Sequence, residues 1–179
     1  MSQLRPEVSA DDHSVGPVDA PITLVEFGDY ECPHCGRAYP VVKQLQATLG
    51  DSLRFVFRNF PLSEIHPHAS AAAQAAEAAG ESGSDPFWAM HDLLYEHQRH
   101  LDTHSLLRYA ETAGADPVAV QHALDAGSYV ERVNTDFMSG VRSGVNGTPT
   151  FFINGVRYNG DWSDVETFLA DLTAARTSP

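Results

Sequence analysis

The residues best suited to chemistry in this chain are its two cysteines, set as Cys32-Pro33-His34-Cys35. Two thiols at this spacing can close a disulfide or supply half of a metal site, and their surroundings select between these uses. The tetrapeptide follows an apolar, strand-like run and opens a helical pattern. At a helix start the leading backbone N–H groups have no intrahelical acceptor, and the positive end of the peptide dipoles faces outward. A thiolate at Cys32 is stabilised there, and the expected pKa falls from ~8.5 to between roughly 3.5 and 7.5. Cys32 becomes the expected nucleophile, because the thiolate is the attacking species. Pro33 suits the first helical turn, where its missing N–H is not needed, and His34 adds a positive charge or a further donor. Both favour the reduced form, so a Cys32–Cys35 disulfide is expected to be a ready oxidant. Cys35, one turn further in, is expected to be the more buried sulfur and to act as the resolving thiol.

Two other uses of the pair compete with this one. A structural disulfide is one, although a domain of this size needs no such staple. A zinc half-site is the other; it would need two more ligands, the nearest candidates being His66 and His68, or His34 itself. No second cysteine pair exists to complete such a site. His97, His100 and His104 also cluster in sequence, but Asp102-Thr103 reads as a helix cap that interrupts any shared face, which leaves these three as solvated surface.

Two further positions carry chemistry only in combination with the cysteines. Glu26 lies before Cys32 inside the apolar run Ile22 to Phe27, where an ionised carboxylate is expensive unless paired or used. A buried Glu26 with a raised pKa could take the proton of Cys35 as that thiol attacks. A Glu26 turned to solvent near the end of the strand would have no such role. Gly147-Thr148-Pro149-Thr150 immediately precedes a returning strand. An X–Pro bond is cis only about 5–6% of the time, so an ordinary trans proline before a strand is one reading. The other is a cis Pro149 at the mouth of the site, exposing the Thr148 backbone to an extended substrate peptide that pairs as an added strand.

The elements that must hold these residues are well punctuated. Ile22 to Phe27 is β-branched and apolar enough for a buried strand. The helix opened by the cysteines runs to Leu49 with apolar Tyr39, Val42, Leu45 and Leu49, contains Pro40, and stops at Gly50. Leu53 to Phe60 reads as a second strand, which completes a βαβ unit. Residues 63–145 then show helical patterns only, with an Ala-rich stretch stopped by Gly80, starts at Asp85-Pro86 and Asp116-Pro117, and stops at Gly114 and Gly127. Thr150 to Ile153, Asn154-Gly155 and Val156 to Tyr158 form a strong two-residue hairpin signal. A last amphipathic helix near 163–176 presents Val165, Phe168, Leu169 and Leu172. The segments are thus a polar arm (1–20), βαβ (21–62), a helical block (63–145) and ββα (146–179).

Composition bounds the partners and the compartment. Twenty-four acidic against eleven basic residues give a net charge of -13, which repels phosphate backbones and anionic membranes, so neither nucleic acid nor membrane is expected as a partner. The first twenty residues carry Arg5, Glu7, Asp11, Asp12 and Asp19 and lack a secretory apolar run. The expected compartment is the cytoplasm, where a cysteine pair is more often catalytic or metal-binding than structural.

Taken together, VEFGDYECPHC (Val25 to Cys35), NFPL (Asn59 to Leu62) followed by His66 to Gly80, and GVNGTPTFFINGVRY (Gly144 to Tyr158) resemble the DsbA-like branch of the thioredoxin-fold superfamily. The resemblance covers the chain from about Pro17 to the final helix. It implies an α/β thioredoxin fold, βαβ and ββα halves around a central mixed sheet, interrupted by an all-helical insertion. It further implies a thiol-disulfide oxidoreductase with Cys32 nucleophilic, Cys35 resolving, Pro149 cis and Glu26 as the buried acid. No cofactor beyond the Cys32–Cys35 couple is then needed. The expected partners are protein or small-molecule thiols and a second redox protein that recycles the site, with the chain itself a monomer. The direction of electron flow stays open between oxidase and reductase, and the competing function is a non-catalytic module that binds zinc or docks a partner.

Overall fold

The β-branched, apolar run after Pro21 does form a central strand. In the structure, a computed structural model that describes residues 2–176, it is β2 (Ile22–Gly28), buried along nearly its whole length. Ahead of it lies a short strand, β1 (His13–Val15), and after it come helix α1 (Pro33–Leu49) and strand β3 (Leu53–Asn59). Five helices follow: α2 (Ala69–Gly80), α3 (Ser84–Glu96), α4 (Thr103–Thr112), α5 (Pro117–Ala126) and α6 (Val130–Arg142). The chain closes with β4 (Thr150–Ile153), β5 (Val156–Arg157) and α7 (Val165–Ala175). Among the described residues no helix is long and apolar enough to cross a membrane.

The residues divide into two compact units, the first made of Met1–Gly28, Arg37–Arg58 and Met138–Pro179, the second of Asp29–Gly36 and Asn59–Phe137. The first unit holds a five-stranded mixed sheet in the order β1-β3-β2-β4-β5. β4 runs antiparallel to β2, with Glu26 opposite Phe151 and Phe27 opposite Thr150. The β4–β5 hairpin turns on Asn154 (φ 47°) and Gly155 (φ 81°), the two positive φ values that an Asn-Gly turn supplies at low cost. Phe27, Phe55, Phe57, Phe151 and Phe152 are buried in this sheet, and Phe168 of α7 packs edge-on against Phe151 at 5.2 Å.

The second unit is helical, and its chemistry follows from alanine. α2 is buried nearly all round, because its methyl side chains let α3, α4 and α5 approach its backbone closely. Asp102 and Asp116 cap α4 and α5 as expected, accepting from Ser105 N (3.1 Å) and Val118 N (2.9 Å). α3 differs from expectation: it begins at Ser84 with Gly83 at the cap, not at Asp85-Pro86. Pro86 then falls at the third helical position, still within the turn whose N–H groups lack intrahelical acceptors, so the proline does not force a later start.

A buried polar cluster ties Asn59 to α2 and α6. Asn59 N donates to Asp136 Oδ2 (3.0 Å), its side-chain amide donates to Glu77 Oε1 (2.7 Å), and Arg132 Nη1 reaches Asp136 Oδ1 (2.6 Å). Burial pushes the Asp136 carboxyl above the usual carboxylate range, Arg132 and the Asn59 N–H pull it back, and Glu77 raises it further. A carboxyl whose pKa is raised by folding contributes stability below its unfolded value, about 3.9, and loses it as pH rises through the folded value. Stability is therefore expected to increase as pH falls through the raised value of Asp136 toward the unfolded one. Thermal midpoints of Asp136→Asn should show a flatter profile over that window; an unchanged slope would remove Asp136 as its source.

Candidate functional site

The site begins where β2 ends. Cys32 N donates to Asp29 O (3.1 Å), a turn that brings Cys32 to the position just before Pro33, the first residue of α1. The Cys32 carbonyl accepts the first helical hydrogen bond, from Gly36 N (3.0 Å), so Cys32 is the N-terminal cap of α1 and Cys35 lies in its first turn. Pro33 takes the position where a missing N–H leaves no bond unmade. Cys32 is 3% exposed and Cys35 0%, whereas Pro33 and His34 are exposed. Cys35 is thus the more buried residue of the pair.

Glu26 is 2% exposed within β2, which removes the solvent-facing alternative. Thr148 and Pro149 lead into β4, and the peptide bond joining them is cis, as is Arg5–Pro6. Since Thr150 pairs with Phe27, the Thr148–Pro149 segment belongs to the end of the sheet at which the chain leaves β2 for the cysteines. Glu26 and the Thr148–Pro149 segment share adjacent strands of the first unit, and the four residues Cys32 to Cys35 gather in the second.

Residues outside the Cys-Pro-His-Cys motif hold its loop in place. Asp29, 1% exposed, accepts from Glu31 N (2.8 Å) and Leu62 N (2.9 Å), and its Oδ2 lies 2.7 Å from His66 Nδ1. Glu31 receives His68 N (2.6 Å) and pairs with His68 Nδ1 (2.9 Å). Gln98 Nε2 donates to the carbonyls of Tyr30 (2.8 Å) and Cys32 (2.9 Å). Beneath them Tyr30, 1% exposed, shares a hydrogen bond of 3.0 Å with His91 Nδ1 and stacks obliquely on Tyr95. His66 and His68, candidates for zinc in the sequence, are engaged with carboxylates by these nitrogens. Among the described residues no group of three or more His, Cys, Asp or Glu is arranged to hold a metal ion. His97 stacks on Tyr109 (ring centroids 5.2 Å apart), which gives that histidine a packing partner instead of a shared face with His100 and His104.

A sheet of this order with a Cys-x-x-Cys pair at the start of its first long helix defines the thioredoxin class of folds. Residues 9–171 match the thioredoxin family (Thioredoxin_4), and the chain belongs to it. Among solved structures it superimposes on BdbD of Bacillus subtilis with a TM-score of 0.84 at 24% identity, over 93% of this chain and 94% of that one. A thioredoxin-like oxidoreductase of Silicibacter pomeroyi gives 0.82 at 26% identity, over 96% and 95%. The thiol-disulfide exchange protein alpha-DsbA2 of Wolbachia pipientis gives 0.76 at 21%, over 92% and 88%. These neighbours are DsbA-like, in agreement with the resemblance read from the sequence. Curated relatives include proteins described as Na(+)/H(+) antiporter NhaA 1 from Salinispora arenicola, 44% identical over 164 residues, and from Mycolicibacterium vanbaalenii, 39% identical over 178. Those matches cover 92% and 98% of this chain but 24% and 28% of the relatives, so the chain spans about a quarter of their length.

Proposed function

We propose that the chain exchanges disulfides with protein or small-molecule thiols through Cys32 and Cys35. The observation that carries this reading is the place of Cys32 at the cap of α1 with Cys35 inside the first turn. There the N–H groups of the first turn and the helix dipole favour a thiolate, and the exposed His34 adds a donor beside it. In the reductive direction the Cys32 thiolate attacks one sulfur of a substrate disulfide, forms a mixed disulfide and releases one substrate thiolate. Cys35 then gives up its proton and attacks the Cys32 sulfur, which releases the second substrate thiol and leaves the Cys32–Cys35 disulfide. Two electrons pass to the substrate; oxidation of a dithiol is the same sequence reversed. Glu26, a buried acid on the strand that feeds the loop, is assigned the Cys35 proton, and the Thr148 backbone before Pro149 the role of pairing with an extended substrate. No cofactor beyond the cysteine couple enters this scheme, and a second thiol-disulfide protein recycles the site.

The direction follows from the couple's potential and its compartment: a low potential in a reducing compartment makes a reductase, a ready disulfide in an oxidising compartment an oxidase. The test combines thiolate titration of the reduced chain, its equilibrium with glutathione, and dithiothreitol-driven reduction of insulin. An acid-shifted Cys32 with turnover above the uncatalysed rate is expected. Unreactive thiols with stoichiometric zinc retained through chelator treatment would replace this reading with that of a zinc-binding module.

A further inference from the structure

The exchange reading rests on how Cys32 is held, and on that footing the structure assigns Gln98 as a positioning residue for the Cys32 sulfur, with Gly36 as the residue that admits it. Gln98 follows α3 and is separated from Cys32 by 66 positions, yet its side chain spans the loop before α1. Both hydrogens of its amide nitrogen are used, on Tyr30 O at 2.8 Å and Cys32 O at 2.9 Å. One planar group bridging two carbonyls on either side of Glu31 fixes the course of the backbone between them. The Cys32 carbonyl is the one that also accepts Gly36 N at 3.0 Å and so starts the helix. Rotation of the peptide that follows Cys32 would move its sulfur relative to the N–H groups that stabilise the thiolate, and Gln98 opposes that rotation.

Gly36 supplies the second, independent observation. Its backbone is helical, where glycine is a poorer choice than alanine. A Cβ built there would run into Gln98 Oε1 and lie 2.7 Å from its Cδ. The glycine therefore clears the space through which the Gln98 amide reaches the loop. Gln98 is neutral, so it orients the site without changing its charge.

The experiment is a double-mutant cycle read by thiolate titration of Cys32 and by equilibrium with glutathione. Gln98→Ala is expected to raise the titration midpoint by about one pH unit and to shift the equilibrium about tenfold toward the disulfide, about 30 mV. Gly36→Ala should reproduce both shifts by pushing the amide away. In the Gln98→Ala background Gly36→Ala should change neither, because there is nothing left to displace. Gln98→Glu, which keeps the shape but cannot donate when ionised, should shift at least as far; it carries the test if Gln98→Ala fails to fold. Equal effects of Gly36→Ala in both backgrounds, or an acid-shifted midpoint unmoved by Gln98→Ala, would overturn the positioning role and leave the exchange reading intact. An ordinary thiol midpoint in the unmodified chain would overturn the exchange reading and this role with it.

Discussion

Cys32→Ser is expected to bring insulin reduction down to the rate of dithiothreitol alone, while Cys35→Ser leaves the first attack intact and stops at a mixed disulfide. A serine hydroxyl at the cap of α1 still receives N–H groups, but it does not ionise near neutrality and cannot exchange with a disulfide. The two variants separate because the two sulfurs differ in position: Cys32 precedes the helix and Cys35 is enclosed in its first turn, 0% exposed. With the resolving thiol gone, the bond from Cys32 to substrate has no intramolecular attacker and should persist. Non-reducing electrophoresis and intact-mass measurement with a disulfide-containing peptide check this. An adduct on Cys35→Ser and none on Cys32→Ser is expected. The reverse pattern would make Cys35 the nucleophile and remove the basis of the assignment.

What could be read from the sequence and what could not divides along contact range. The cysteine loop, the caps at Asp102 and Asp116 and the Asn154-Gly155 hairpin are local: each is decided by residues within about one turn of one another. The fold class followed from the resemblance carried by the segments Val25 to Cys35, Asn59 to Gly80 and Gly144 to Tyr158. The clamp on the loop was not legible, because Asp29, Glu31 and Gln98 gain their partners from residues 62–68 and 30–32 only after the helices have folded back. Asp29 reads as a strand-ending turn residue and His66-Pro67-His68 as a turn and helix start, and both readings remain true while missing the contact between them. No spacing rule connects Gln98 to Cys32. Gly36 was the one available signal, a glycine inside a helix pattern, which marks a close approach without naming what approaches.

The first twenty residues show the same limit, and they supply the second large effect. A polar stretch with Gly and Pro reads as an arm, but His13–Val15 pairs with Phe55–Phe57 of β3, and three residues are too few for an alternation to register. The reason the arm is held lies on β3 itself. Arg58, 2% exposed, turns its guanidinium onto Asp12, with Nε to Oδ1 at 2.7 Å and Nη2 to Oδ2 at 3.0 Å, and donates further to Pro6 O at 3.0 Å. The two side chains are 3% and 6% exposed, so solvent screens the pair little. Asp12→Ala leaves a buried guanidinium with carbonyl acceptors but no counter-charge. Such a loss costs about 3–5 kcal/mol, against 1 kcal/mol or less for an exposed pair. For a chain of this length that corresponds to a fall in thermal midpoint of roughly 6–20 °C. Replacing both partners by apolar groups, Asp12→Leu with Arg58→Met, should recover much of it, because the uncompensated charge goes with the carboxylate. Chemical denaturation of the three proteins decides the matter. A loss below about 1 kcal/mol in Asp12→Ala would show that the arm is not anchored through this pair.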